Sequence, residues 1–145
     1  MRNIILAVTM LTFIMAGCVT GQTRNTGKPQ FTKHFEDSIF KVTDKELFSV
    51  EISPDRKELG VGDDALGIII HDANDKDVEG AGLEVSVYIP EESSSPKLLY
   101  VAEKAGGLYS VKKIDLGRKG QWEIRVKVKK GNMEDSVVFY FPGAK

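Results

Sequence analysis

Hydrophobic and polar residues alternate along much of this chain with a period of two. The clearest case is residues 121–131, QWEIRVKVKKG, in which apolar and polar side chains take turns. Residues 48–52 and 83–89 repeat the same alternation. A period of two is typical of a strand with one face buried, so each of these runs predicts a half-buried β-strand.

Shorter or less regular runs predict further strands at residues 58–61, 65–71, 97–102 and 108–114. Residues 137–141 are apolar at every position and predict a strand that is buried on both faces. Stretches rich in Gly, Pro, Asn and Asp separate the runs, and no helical period competes with them. Seven or eight short strands in about a hundred residues indicate an all-β fold, an immunoglobulin-like antiparallel β-sandwich.

The first residues of the chain follow a different pattern. Arg2 precedes an almost unbroken apolar stretch at residues 4–16, which is the order of a secretory signal. The stretch is shorter than the roughly 20 residues that a membrane span needs. Residues 14–18, Ile-Met-Ala-Gly-Cys, resemble the lipobox of bacterial lipoproteins. The resemblance implies cleavage before Cys18, acylation of its sulfur, and attachment to a membrane through the N-terminal lipid.

These patterns divide the chain into three parts. We expect a lipoprotein signal peptide at residues 1–17, a lipidated cysteine and flexible tether at 18–37, and a β-sandwich domain at 38–145. The tether is expected because residues 19–37 are polar and have no helical or strand period. The lipoprotein resemblance places the domain outside the cytoplasm. Because Val19 follows the cysteine, it implies the periplasmic side of the outer membrane in a cell with two membranes.

Charge and ligand counts exclude two classes of partner. Twenty basic residues balance 21 acidic ones and alternate along strands, so no nucleic-acid partner is expected. With Cys18 acylated, the soft ligands of the mature chain are His34 in the tether, His71 at a strand end and Met133 in a distant turn. Copper sites need several such groups together. We therefore expect no cofactor and no metal site. His71 is the weak candidate, and a strand-end histidine bonded to solvent or backbone is the favoured explanation for it.

Catalysis is not expected either. Residues 93–95 are three serines without the Gly-x-Ser-x-Gly pattern of a hydrolase elbow, and neither histidine has an evident relation to them. Asp75 and Asp77 fall at the first and third places of an EF-hand loop, but Ser86 stands where that loop needs a bidentate Glu. An acidic turn is the expected structure there. We therefore expect a protein that is not an enzyme.

Two longer stretches carry a family resemblance. Residues 72–90, DANDKDVEGAGLEVSVYIP, and residues 106–131, GGLYSVKKIDLGRKGQWEIRVKVKKG, resemble the small extracytoplasmic domains called YtkA-like or FixH-like. The matching positions are Asp72, Val78, Gly80, Ala81, Gly107, Tyr109, Gly120 and Trp122. The resemblance implies a non-catalytic β-sandwich, with some relatives linked to copper handling or oxidase assembly. Such relatives carry Met and His near the loop that is residues 89–97 here, where this chain has neither.

Exposed tyrosines suggest where the domain acts. Tyr88 and Tyr140 fall on strand faces opposite or adjacent to the apolar ones, and Tyr100 is a third candidate. Contiguous exposed aromatic residues mark partner surfaces, whereas cover by edge strands is the alternative. We expect a membrane-anchored domain that binds a protein partner or supports an envelope assembly. The alternative function is a YtkA-like accessory role in metal handling or oxidase assembly.

Overall fold

A computed structural model of the protein describes residues 28–53, 65–92, 95–112 and 119–142. These residues form nine strands. The strands are β1 (Ile39–Val42), β2 (Phe48–Ser53), β3 (Ala65–Asp72), β4 (Gly82–Tyr88), β5 (Lys97–Leu99), β6 (Val101–Glu103), β7 (Leu108–Lys112), β8 (Gln121–Lys130) and β9 (Met133–Pro142). The expected signal peptide, Cys18 and the expected strand at residues 58–61 lie outside the described residues.

The strands form two antiparallel sheets. One has five strands in the order β1-β2-β3-β7-β6, and the other has four in the order β5-β4-β8-β9. Apart from β1, this order matches strands A-B-E-D and C′-C-F-G of the immunoglobulin fold. The prediction of an all-β, antiparallel sandwich is confirmed.

The strand count differs from the prediction of seven or eight for two reasons. The first is β1, a short strand that pairs with β2. The sequence pattern predicted no strand at this start of the domain. The second is that residues 97–102, expected as one strand, form two strands of different sheets separated by Tyr100. The chain therefore crosses from one sheet to the other at Tyr100.

The core lies between the sheets and is built from the inward-facing residues of each alternating run. On β8, Trp122, Ile124, Val126 and Val128 are buried. Opposite them, β2 contributes Phe48, Val50 and Ile52. Because burial of apolar surface is the main favourable contribution to folding, the period of two stabilises the fold by placing these apolar side chains in the core.

The prediction for residues 137–141 is wrong. Val137 and Phe139 are buried, but Val138 is only half-buried and Tyr140 is 52% exposed. The outward side of β9 belongs to the open face of the four-stranded sheet, so its apolar residues meet solvent.

The prediction of a half-buried β2 is also wrong, in the opposite sense. All six residues of β2 are buried, including the outward-facing Ser49, Glu51 and Ser53. Over Glu51 the cover is the segment of residues 30–38, which we call the N-terminal strap. Gln30 N–H donates to the carbonyl of Ala73 at 3.0 Å, and the strap then runs over the outer face of the five-stranded sheet to Ser38.

The connection from β3 to β4 folds back beside the end of β3. Val78 N–H donates to the Ile70 carbonyl at 2.9 Å, and the Tyr109 hydroxyl donates to the Val78 carbonyl at 2.8 Å. Gly107 packs against this connection with a φ of +66°, and a Cβ there would lie 3.1 Å from the Cβ of Asp77. The close approach holds the acidic turn with Asp75 and Asp77 next to His71.

Candidate functional site

Two groups of residues on opposite sides of the sandwich are candidates for function. The first, which we call the histidine cluster, consists of His34, His71 and Asp75 on the outer face of the five-stranded sheet. The second, which we call the tyrosine row, consists of Tyr88, Glu123 and Tyr140 on the outer face of the four-stranded sheet.

His71 lies near the end of β3, on the outward side of the sheet, opposite Ser49 of β2. The strap and the acidic turn cover it, so that only 4% of the residue is exposed. Burial lowers the pKa of His71, and the neighbouring His34 lowers it further, while the carboxylates of Asp77, Asp75 and Glu51 act in the opposite direction. The net direction is downward, which favours a neutral imidazole at pH 7.

His34 reaches the cluster from the strap. Its ring stacks on that of His71 with centroids 4.2 Å apart and 28° between the planes. Its backbone N–H and that of Phe35 donate to the two carboxylate oxygens of Glu51, at 3.0 and 2.7 Å. The Ser38 hydroxyl also donates to Glu51. Three donors therefore satisfy this carboxylate, which is only 1% exposed, and fix the strap in its register over β2.

Asp75 completes the cluster from the acidic turn. Its backbone is left-handed, with a φ of +61°, a conformation that Asp adopts more readily than most residues. One carboxylate oxygen accepts a hydrogen bond from Thr32 N–H at 3.1 Å, and the other lies 3.5 Å from Nε2 of His34. Burial works to raise the pKa of Asp75, but the hydrogen bonds from Thr32 and the two histidines lower it below its usual value.

The result is a compact set of nitrogen and oxygen donors. Each of the three residues offers one ligand atom, and these atoms all lie within 4.8 Å of one another. We expected His34 in a tether, away from His71; the structure instead brings the two rings into contact. Sequence reasoning missed this because the strap has no hydrophobic period, and because Asp75 and Asp77 were interpreted as a solvated turn.

The tyrosine row is set by strand register. Tyr88 of β4 pairs with Glu123 of β8, which pairs with Tyr140 of β9, so the three side chains follow one another across one outward-facing row. A hydrogen bond to Glu123, with some burial, raises the pKa of the Tyr88 hydroxyl. At the other side, the ammonium group of Lys41 lies 5.4 Å from the centre of the Tyr140 ring.

Tyr100 is separate from this row. It is 66% exposed in the crossover between β5 and β6, and the ammonium group of Lys112 on β7 lies 5.6 Å from the centre of its ring. Leu98, in contrast, lies on the same face of the sheet as the tyrosine row. It is 64% exposed and pairs with Ser86 on the same outward side of the four-stranded sheet. Leu98 was not among the residues expected from the sequence.

Met133, the third soft ligand considered, begins β9 and is 45% exposed. It pairs with Lys130 at the far end of that hairpin and is not a member of the histidine cluster. Cys18 and two of the three serines, Ser93 and Ser94, lie outside the described residues.

Comparisons with known proteins add little to this picture. No protein-family model matches the chain, and no curated protein matches it. Among solved structures, a DUF4426 family protein from Pseudomonas aeruginosa PAO1 is similar. The alignment covers 77% of this chain and 98% of that one, with 13% sequence identity and a TM-score of 0.49. This likeness carries no conclusion about function.

Within residues 28–53, 65–92, 95–112 and 119–142, no helix is long and apolar enough to cross a membrane.

Proposed function

We propose that this protein is a lipid-anchored, extracytoplasmic β-sandwich that binds a protein partner through the outer face of its four-stranded sheet. The lipid anchor rests on the lipobox-like residues 14–18 and on the acylation of Cys18 that they imply. The binding face rests on the tyrosine row. In this proposal the protein works by binding and holding a partner, without catalysis.

The tyrosine row carries the proposal because it combines apolar and polar contact surface. Tyr140 is 52% exposed, and Leu98 adds a large exposed aliphatic side chain on the same side of the sheet. Tyrosine is enriched at protein interfaces because its ring buries apolar area while its hydroxyl keeps a hydrogen-bonding group. Tyr88 and Tyr140 on either side of Glu123 therefore form a suitable centre for an interface.

Charged residues next to the row would give the interface its specificity. Arg125 lies in the adjoining row, and a hollow of about 300 Å³ lies farther along the same face. Its lining includes Glu84, Arg125, Lys127 and Glu134. Side chains of both signs favour a partner with complementary charges, since complementary potentials select partners and orient their approach.

Site-specific photo-crosslinking in the native envelope tests the binding face. A photoreactive phenylalanine analogue at position 140 is expected to give a discrete cross-linked product, and Tyr88→Ser in the same protein should reduce its yield. The matched control carries the analogue at position 100, where the tyrosine is somewhat more exposed, 66% against 52% for Tyr140, but belongs to another surface. Equal products from positions 100 and 140 would contradict the proposed face.

The anchor has its own test. Cys18→Ser should abolish labelling of the protein with a radioactive fatty acid and leave the precursor uncleaved. Labelling that persists in this variant would show that the lipid is attached elsewhere or is absent from Cys18.

The second candidate function is metal handling of the YtkA-like kind, and one observation favours it. The histidine cluster gathers two imidazoles and a carboxylate within 4.8 Å. This ligand set differs from the Met and His residues that the resemblance implies near residues 89–97. A carrier must release its metal to an acceptor, so transfer of a bound ion to a second protein distinguishes this function from partner binding.

A further inference from the structure

We propose that His34, His71 and Asp75 bind one divalent cation of the borderline class represented by Zn²⁺, and that the bound ion fastens the N-terminal strap to the five-stranded sheet. The proposal is independent of the partner-binding face, which lies on the other sheet. It rests on the ligand atoms, on a buried nitrogen without a partner, and on the distances between the groups.

The buried nitrogen is Nδ1 of His71. Within the described residues it has no hydrogen-bond partner, and the same is true of the hydroxyl of Ser49, its cross-strand neighbour. A buried polar atom without a partner has lost its hydrogen bonds to water and gained none in return, and such atoms are rare in folded proteins. A cation bound by this nitrogen would supply the missing partner.

The other nitrogen of His71 is already oriented. Nε2 lies 3.1 Å from a carboxylate oxygen of Asp77, close enough for its N–H to donate a hydrogen bond to that oxygen. Metal-binding imidazoles commonly donate their second nitrogen to a carboxylate, which fixes the ring and makes the remaining lone pair more basic. Asp77 therefore has the place of an orienting residue, and the lone pair that is left for a cation is that of Nδ1.

The distances are close to those of a tetrahedral site. With bonds of about 2.1 Å, two ligand atoms on a tetrahedral Zn²⁺ are about 3.4 Å apart. Nε2 of His34 and the Asp75 carboxylate oxygen are 3.5 Å apart, and the three ligand atoms lie within 4.8 Å of one another. The rings of His34 and His71 are stacked, with 28° between their planes, so the His34 ring must rotate about its side-chain bonds for both nitrogen lone pairs to point at one ion. The His34 side chain is 35% exposed, and this rotation leaves the backbone hydrogen bonds of the strap in place.

The donor types select the class of cation. Two imidazoles and one carboxylate suit Zn²⁺ and Cu²⁺, whereas Ca²⁺ and Mg²⁺ prefer oxygen ligands and Cu⁺ prefers sulfur. The electrostatic surroundings favour a cation as well. The carboxylates of Glu51, Asp75 and Asp77 each lie within 3.6 Å of a histidine nitrogen. Three protein ligands would leave a fourth position for water.

The bound ion would join three separate elements of the fold. His34 belongs to the strap, His71 to β3 and Asp75 to the turn that follows β3. The strap already donates backbone hydrogen bonds to Glu51, Asp75 and Ala73. An ion that binds only when the strap is seated stabilises the seated form by mass action, in proportion to its concentration relative to Kd.

Calorimetric titration of the full chain with ZnCl₂, in detergent and with Cys18→Ser to remove the thiol, tests the site. We expect one Zn²⁺ per chain, with binding weakened at least tenfold by His34→Ala and by Asp75→Asn. Both residues lie at the surface side of the cluster, and Asn tolerates the left-handed backbone of Asp75, so both variants should fold. Lys33→Ala, an exposed change in the same strap, is the matched control and should bind as the parent does.

Amide hydrogen exchange gives the second readout. Zn²⁺ should slow exchange of the His34 and Phe35 N–H groups in the parent and leave it unchanged in Asp75→Asn. Absence of stoichiometric binding, or binding that survives both His34→Ala and Asp75→Asn, would overturn the site. Binding without slower exchange at His34 and Phe35 would overturn the fastening of the strap.

Discussion

The outer faces of the two sheets make an instructive comparison, because similar sequence patterns lead to different environments. On β8, the outward residues Glu123, Arg125 and Lys127 reach solvent. On β2, the outward residues Ser49 and Glu51 are 1% exposed, because the strap lies over them. A period of two therefore identifies which side of a strand faces the core, but it does not say whether the other side is solvated.

The residue types at the outward positions do differ between the two strands. Those of β8 are long and charged, as on an open face, whereas β2 has two serines around Glu51. On β3, the outward Ile69 is apolar and buried although it is not part of the core between the sheets. Short polar and apolar residues at outward positions are the sequence signal of a covered face.

The largest expected effect on stability comes from a change in the core that the two sheets share. Trp122→Ala removes a ring that is 7% exposed and should lower the free energy of unfolding by about 3 to 5 kcal/mol, since transfer energy is lost and a cavity remains. Chemical denaturation measures the change. Native tryptophan fluorescence that acrylamide quenches freely would show instead that the ring is exposed.

The next effect separates the two outer faces directly. Glu51→Ala leaves the N–H groups of His34 and Phe35 without their acceptor, so we expect a loss of roughly 1 to 3 kcal/mol in metal-free protein. Arg125→Ala, the corresponding outward change on β8, should remain close to the parent. Equal losses in the two variants would mean that the strap does not protect the face of β2.

Both faces could be predicted in part. The alternation placed Tyr88 and Tyr140 on an outward side, but their common row depends on the register of both strands with β8, which pattern alone does not fix. The histidine cluster could not be predicted from the sequence for a different reason. His34 lies in a segment without periodicity, and its position depends on backbone N–H groups that bind Glu51. Because every residue except proline has a backbone N–H, the sequence does not indicate which of these groups will bind a side chain.

A smaller effect concerns Asp135, which joins β9 of one sheet to the β1–β2 turn of the other. Burial raises the pKa of Asp135, but hydrogen bonds from the Thr43 hydroxyl and from the N–H groups of Ser136, Leu47 and Lys45 outweigh it and lower the pKa below the ordinary 3.8. Stability from this carboxylate is therefore complete above pH 3.8 and is lost as the pH falls through the lower pKa of the folded protein.

Asp135→Asn should cost about 1 kcal/mol near pH 7, because a neutral acceptor replaces a charged one. The difference from the parent should shrink as the pH falls below 3.8, and denaturation curves between pH 2 and 7 measure it. Asp37→Asn, an exposed change, controls for the loss of one negative charge. A stability difference between Asp135→Asn and the parent that grows as the pH falls would contradict the lowered pKa of Asp135.

The smallest effect belongs to the open face. Lys127 and Glu134 form an ion pair at 3.0 Å, but both side chains are nearly half exposed. Solvent screens such pairs, so Lys127→Ala should leave the denaturation midpoint within experimental error. A clear fall in the midpoint would show that this face is less solvated than the structure indicates.

In the proposed lipid-anchored form of the protein, the strap also determines how far the domain can move from the lipid at Cys18. Twelve residues lead from Cys18 to Gln30, the first strap residue, and a chain of that length reaches at most about 40 Å. With the strap released as far as Ser38, twenty residues could reach about 70 Å. When the strap is bound to the sheet, the volume within reach of the anchored domain is therefore smaller by roughly fivefold. The effective concentration of the domain for a partner held near the same membrane rises by a similar factor.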